Sequence, residues 1–281
     1  MSKKSSSKTN FLAQGTILVI ASFVAKAIGM IYRIPLTHIL GDDGNGYYST
    51  ANEIYTIILM ISSFSLPLAV SRLVAEREYA GEVKNSYKVL ICSLRFAAVT
   101  GGILSILTFL LGGVITKYVM GVELASYALR VLAPAIFLFA LTGVLRGFFQ
   151  GHGTMVPTAV SQIIEQIINA IVSVAGAYVM LQYGLKLGEK KGDAELGTAL
   201  AAAGGTFGTV ASVGVALLFM IVIYLGYRNG FKRRMKKDKT RRRESDRAIY
   251  RAITYTILPI VLSTLVYNIS TIIGQGVFNH K

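Results

Sequence analysis

Tryptophan is absent from this 281-residue chain, cysteine occurs once and histidine three times. A single cysteine, Cys92, excludes an intrachain disulfide framework and a cysteine-based metal site. His38, His152 and His280 are far apart in sequence. The chain has no phosphate-binding P-loop, no zinc-protease helix motif and no serine nucleophile elbow. No enzymatic activity and no metal or organic cofactor is expected. Acidic residues are also scarce, 14 against 29 basic ones, for a formal charge of +15. In a soluble domain that excess would suggest nucleic acid. Here the basic residues gather between long apolar blocks, so the positive-inside rule explains them better and no nucleic-acid partner is expected. With no tryptophan, an aromatic belt has to come from tyrosine. Tyr47, Tyr48, Tyr118, Tyr127, Tyr183, Tyr224 and Tyr227 all fall near the ends of apolar segments.

What the chain does have is apolar length. Hydrophobic residues make up 53% of it, in blocks of the roughly 20 residues that a bilayer crossing needs. Seven segments stand out: 11–34, ended by Pro35; 47–75, with a kink at Pro67; 87–115; 124–150; 156–181, with Pro157 in its first turn; 196–227; and 252–278. The fold class is therefore all-α, a polytopic membrane protein of about seven transmembrane helices. Residues 1–10 read as a disordered cytoplasmic tail, and 11–227 as a six-helix lobe. Residues 228–251 read as a basic connector and 252–281 as a seventh helix. The apolar stretch after the tail is too long for a signal-peptide core, so it reads as an uncleaved first span. The run 231–247 reads as a solvated loop against anionic membrane lipids, worth about 1 kcal/mol per basic residue near the surface. Loop charge puts the N-terminus inside. Lys3, Lys4, Lys8, Arg72, Arg77, Lys84, Lys88, Arg146 and the run from Arg228 to Arg251 share one side; Lys117, Lys186, Lys190 and Lys191 lie on the other. Gly204 and Gly208, like Gly143, Gly147 and Gly151, have the small-xxx-small spacing of close helix packing.

Several charged and amide groups fall at membrane depth, where each charge costs about 2.5–3.5 kcal/mol on insertion scales. Lys26 and Arg33 are seven residues apart on one helix face. Lys26 would lie about 12 Å below the outer end of its helix, Glu53 about 10 Å below that of the second, and Arg130 about 9 Å into the fourth. These four could form an outer cationic layer, and Arg95 with Glu165 an inner one. Snorkelling to water, or a Lys26–Glu53 ion pair between helices, would account for some of them without function. Gln162, Glu165, Gln166 and Asn169 lie at i, i+3, i+4 and i+7. Such a stripe cannot face lipid; it either glues helices together or lines a polar cavity. The pattern points to movement of something polar or charged across the membrane.

The stretches GYYSTANEIYTIILMISSFSLPLAVSRLVAE (46–76) and RGFFQGHGTMVPTAVSQIIEQIINAIV (146–172) combine Pro, Gly, Arg and Glu at fixed positions. They resemble the polysaccharide-biosynthesis and stage V sporulation protein B branch of the multidrug/oligosaccharidyl-lipid/polysaccharide (MOP) exporter superfamily, akin to the lipid II flippase. The resemblance implies two lobes around a central cavity, alternating access, and flipping of a polyprenyl-pyrophosphate-linked sugar. It also implies cavity cations on the first helix, at about the positions of Lys26 and Arg33. Members of that branch are longer, so the chain corresponds to a six-helix lobe and the first helix of the next. A second lobe is expected to complete the cavity. A coupling ion, Na⁺ or H⁺, is open. The alternatives are a cation-coupled multidrug exporter of the same superfamily, which would favour acidic cavity residues, and a non-transporting scaffold or receptor.

Overall fold

The computed structural model describes residues 2–193, 195–240 and 243–279, with side chains described over 14–263 apart from 191, 194, 241 and 242. The elements in order are α1 (Ser2–Ser62), α2 (Leu66–Tyr79), α3 (Val83–Val114), a π-helical turn (Ile115–Val119), α4 (Ala125–Gly151), α5 (Val156–Lys191), α6 (Leu196–Lys237) and α7 (Asp246–Asn279). The side chains of the expected disordered tail, and of most of the expected seventh span, lie outside the described residues. Among the described residues five helical stretches are long and apolar enough to cross a membrane: Gln14–Tyr79, Val83–Val119, Ala125–Gly151, Val156–Lys190 and Leu196–Lys237.

The first of these stretches holds two crossings. A Cβ on Gly205 of α6 would stand 3.4 Å from both the Leu36 and the Tyr48 side chains. A straight helix would put those two residues about 18 Å apart, so the chain folds back between them. The fold-back is at Gly41, where φ is 66° and ψ is −174°. A Cβ there would be strained, and glycine adopts that conformation freely.

Pro35 does not end the helix, contrary to the sequence expectation; it sits inside α1. A proline removes one backbone hydrogen bond, and the surrounding apolar medium preserves the rest. Nearby, the Thr37 hydroxyl donates to the Ile34 carbonyl at 2.8 Å. Next to Pro67 the helix does break, as expected. The helix stops at Ser62, turns through 63–65 and restarts, with Pro67 in the first turn of α2, where its missing N–H costs nothing.

Small residues set the helix contacts. A Cβ on Gly204 of α6 would run into the Gly176 carbonyl of α5, and one on Gly208 into Ser173. A Cβ on Gly147 of α4 would come within 2.9 Å of the Pro67 Cα, and one on Gly151 within 2.6 Å of the Val74 Cβ. The helices therefore approach to backbone contact at these points, with α2 on α4 and α5 on α6. Buried apolar residues form two clusters. One joins α2, α3, α4, α6 and α7 through Leu66, Leu90, Phe148, Phe149 and Met220. The other joins the fold-back to α4, α5 and α6 through Leu36, Leu40, Tyr48 and Leu132.

The basic connector is largely helix where a loop was expected, while its described basic side chains are exposed, as a solvated segment requires. Helix α6 continues to Lys237 and α7 begins at Asp246, and among the described residues of the link between them 238–240 and 243–245 are free of helix. That link is tied to the α2–α3 turn. Arg77 reaches Glu244 with two nitrogens, at 3.1 and 2.9 Å. The Lys84 backbone N–H donates to Asp238 at 2.7 Å, and Lys88 pairs with Asp246 at 2.6 Å. The few acidic residues in the basic run are what make this docking possible. The Lys88 hydrogen bond holds the Asp246 carboxyl below the usual carboxylate range. Partial burial pushes the Asp238 carboxyl up, but hydrogen bonds from Thr240 and from the Lys84 N–H outweigh it and leave it lowered. Nearby, the Glu78 carboxylate bridges His152 of the α4 end, at 3.2 Å, and Arg234 of α6.

Candidate functional site: a cationic groove on the first helix

Helices α1 and α5 run parallel and in register. The Met155 N–H donates to the Gln14 side chain at 2.9 Å, the Ser22 hydroxyl to Gln162 at 3.4 Å, and the Asn169 amide to the Tyr32 hydroxyl at 2.9 Å. The polar stripe of α5 thus meets α1 along its length. Its members take different roles. Asn169 is buried, and its carbonyl oxygen also accepts from Ser173 at 2.9 Å and, at a long 3.5 Å, from Thr209 of α6. It glues three helices together. Gln166 instead borders open space beside α1, where Gly29 leaves room for it: a Cβ on Gly29 would stand 3.6 Å from the Gln166 carbonyl oxygen.

That space is an open groove of about 890 Å³. Lys26 and Arg33 line it from one face of α1 together with Phe23, Gly29 and Met30, and Gln166 lines it from α5. Both cations are exposed, and among the described residues no carboxylate lies within 4.0 Å of either. Two positive charges and an amide beside apolar side chains are chemically suited to an anion that carries an apolar tail.

The other residues expected in the cavity lie elsewhere. Arg130 is in a separate groove between α3 and α4, so the expected outer layer of four does not assemble. Glu53 is half-buried on the second half of α1 and does not line the Lys26 groove. Arg95 lies 3.7 Å from Asp246 at the start of α7, not in an inner layer with Glu165. Each displacement has the same cause: helical depth fixes height in the bilayer but leaves rotation about the helix axis open, and side-chain partners decide which neighbour a residue faces.

Glu165 is at the edge of the stripe and turns to α4. Its carboxylate pairs with Arg146 at 2.7 Å, and the Arg146 Nε donates to Ser161 at 2.9 Å. Both side chains are nearly buried, at 8% and 13% exposure, so each neutralises the other in a dry setting. Grouping Arg146 with the solvated loop cations missed this pair. Its place in the apolar run just before Gly147 was the signal that could have found it.

The family model described as polysaccharide biosynthesis protein matches residues 11–277. The chain is 27% identical over 217 residues to stage V sporulation protein B of Bacillus subtilis (strain 168), covering 77% of this chain and 39% of the relative. It is 29% identical over 180 residues to the lipid II flippase MurJ of the same organism, covering 61% of this chain and 33% of the relative. The chain thus spans well under half the length of these curated relatives. A solved outward-facing multidrug resistance MATE family transporter of the MOP superfamily superposes with a TM-score of 0.74 at 20% identity, over 94% of this chain and 54% of that one. At that identity the likeness shows the fold alone, and it is the fold expected from the sequence.

Proposed function

The chain belongs to the polysaccharide biosynthesis protein family and has the MOP transporter fold, and from that premise we propose that it forms one lobe of a flippase for a polyprenyl-pyrophosphate-linked sugar. The observation that carries this reading is the pairing of Lys26 and Arg33 in one groove with no carboxylate within 4.0 Å among the described residues. A pyrophosphate crossing a bilayer loses its hydration, and fixed cations replace it with charge-assisted hydrogen bonds. The apolar side chains beside them, Phe23 and Met30, suit the polyprenyl tail. A second lobe facing this groove would close it and let the two lobes rock around the bound headgroup, which gives alternating access. The end of the bundle that carries the basic connector faces the cytoplasm in this reading. The relatives named above, a sporulation protein and a lipid II flippase, support a cell-wall or polysaccharide precursor as cargo.

The acidic residues weigh against the multidrug exporter. Glu165 is neutralised by Arg146, and Glu53 lies off the groove. A cationic drug would meet two like charges there.

The test is complementation of a flippase-deficient strain by Lys26 variants, with membrane abundance measured in parallel. Lys26→Ala at normal abundance should lose growth, and Lys26→Arg should keep part of it. Full growth with Lys26→Ala would remove the groove from the mechanism.

A further inference from the structure

Arg130 lies outside the cavity assigned to the transported lipid, yet it is a cation about 7.5 Å inside the start of α4, counting five residues from Ala125. Among the described residues no carboxylate lies within 4.0 Å of its guanidinium. Such a charge is costly at that depth without a partner or a route to water. Its surroundings are shaped to hold it. Gly112 and Gly113 of α3 leave room for the side chain: a Cβ on Gly113 would stand 3.1 Å from an Arg130 terminal nitrogen, and one on Gly112 3.6 Å from its Cγ. Just beyond them α3 widens into the π-helical turn Ile115–Val119, held by the buried Thr116 hydroxyl donating to the Gly112 carbonyl at 2.9 Å. Such widened turns recur at functional sites. Here the turn sets Lys117 in the same groove as Arg130.

The groove has a volume of about 470 Å³. It contains Arg130, Lys117, Glu123 and Ser126, with Tyr118 and Tyr127 beside them. Lys117 pairs with Glu123 at 2.9 Å, so the three charges sum to one net positive. The two tyrosines are exposed and place the groove at the headgroup level of a bilayer. On the bilayer side the groove continues into Leu110 and Val114, and these join the exposed apolar face of α3 that includes Leu107 and Leu111.

We propose that this groove is a binding site for an anionic glycerophospholipid, with the phosphate on Arg130 and Lys117 and an acyl chain along α3. The Arg130 guanidinium offers a phosphate a planar pair of donors, and Lys117 adds a second cation while Glu123 holds it in place. The apolar strip leading out of the groove selects a lipid phosphate over a free one. The site is at the end of the bundle away from the basic connector and uses no residue of the Lys26 groove. It therefore stands or falls independently of the flippase reading.

Native mass spectrometry of the intact chain in detergent, titrated with phosphatidylglycerol, tests it. Arg130→Gln should weaken binding of the tightest phosphatidylglycerol about tenfold, the loss of one charged hydrogen-bond pair. Arg130→Lys should keep part of it, and Lys186→Gln, an exposed cation that lines neither groove, should leave it unchanged. Inorganic phosphate and phosphatidylcholine should not displace it at matched concentration. Thermal unfolding of Arg130→Gln without lipid reports whether the variant is folded. Wild-type phosphatidylglycerol binding by folded Arg130→Gln would overturn the site. Equal competition by inorganic phosphate would overturn the lipid assignment, and equal binding of phosphatidylcholine would overturn the requirement for net negative charge.

Discussion

Arg146 and Glu165 are each nearly buried and each the other's partner, so removing one leaves an uncompensated charge in a dry helix contact. Breaking such a pair costs about 3–5 kcal/mol, whereas replacing both members with apolar residues is often neutral. Glu165→Gln should therefore lower the unfolding temperature in detergent, and the double variant Arg146→Met with Glu165→Leu should recover most of the loss. A Glu165→Gln protein as stable as wild type would show that the pair contributes little. The stripe gives a second residue-scale expectation. In a Cys92→Ser background, Gln166→Cys should react with a small hydrophilic thiol reagent, because Gln166 borders the open groove. Asn169→Cys should stay unreactive, because Asn169 is buried between helices. Equal reactivity at the two positions would contradict the division of the stripe. Sequence spacing revealed the shared face of Lys26 and Arg33 and the polar stripe, since seven-residue and three-to-four-residue intervals set helix faces without reference to tertiary structure. The partners of Glu165 and Arg95, and the groove that Arg130 enters, could not be read that way. They depend on which neighbouring helix each face meets, and hydropathy carries no information about rotation.

At the scale of elements, glycine decides where helices meet and where the chain turns. The α5–α6 contact at Gly176 and Gly204 has no space for a side chain. Gly204→Val should thus push the pair apart and reduce folded protein in the membrane severalfold, whereas Gly226→Val, with open space around it, should not. Gly41→Ala should cost about 1–3 kcal/mol through backbone strain at the fold-back, readable as a lower unfolding temperature. An unchanged value would mean that the turn can relax to another conformation. The small-residue spacing was legible because it reports backbone proximity directly. The Pro35 boundary was misread because proline is a weaker helix breaker inside a bilayer, where exposing backbone polar groups costs more than one missing hydrogen bond, whereas the break expected beside Pro67 is present. The connector was misread for a different reason. Its basic majority suggested solvation, which its exposed basic side chains keep, but the docking depends on its acidic minority, Asp238, Glu244 and Asp246.

Across the whole molecule, the charged clamp gathers at one end of the bundle and the Arg130 groove lies at the other. In acid the clamp should weaken. The folded-state pKa values of Asp238 and Asp246 are lowered, so their contribution is present above the ordinary carboxylate range, near pH 4, and is lost as pH falls through their depressed values. Hydrogen exchange over 238–240 and 243–245, corrected for intrinsic rate, should show protection at pH 7 that is lost as pH falls below the ordinary carboxylate range; protection that does not change with pH would contradict a carboxylate-held link. With the clamp in the cytoplasm, Gly192→Cys should label with an impermeant reagent in intact cells and Ser5→Cys should not; the reverse pattern would invert the proposed orientation. The measurement that bears most directly on the flippase reading is capture of the cargo itself. A photocrosslinking residue at Met30, inside the Lys26–Arg33 groove, should become joined to a polyprenyl-pyrophosphate-linked sugar in membranes. The yield should fall when Lys26 is changed to Ala, and a crosslinker at Val179, on the far apolar surface of α5, should capture none. Capture at Val179 as strong as at Met30, or capture at Met30 that ignores Lys26→Ala, would contradict a cationic groove as the seat of the transported lipid.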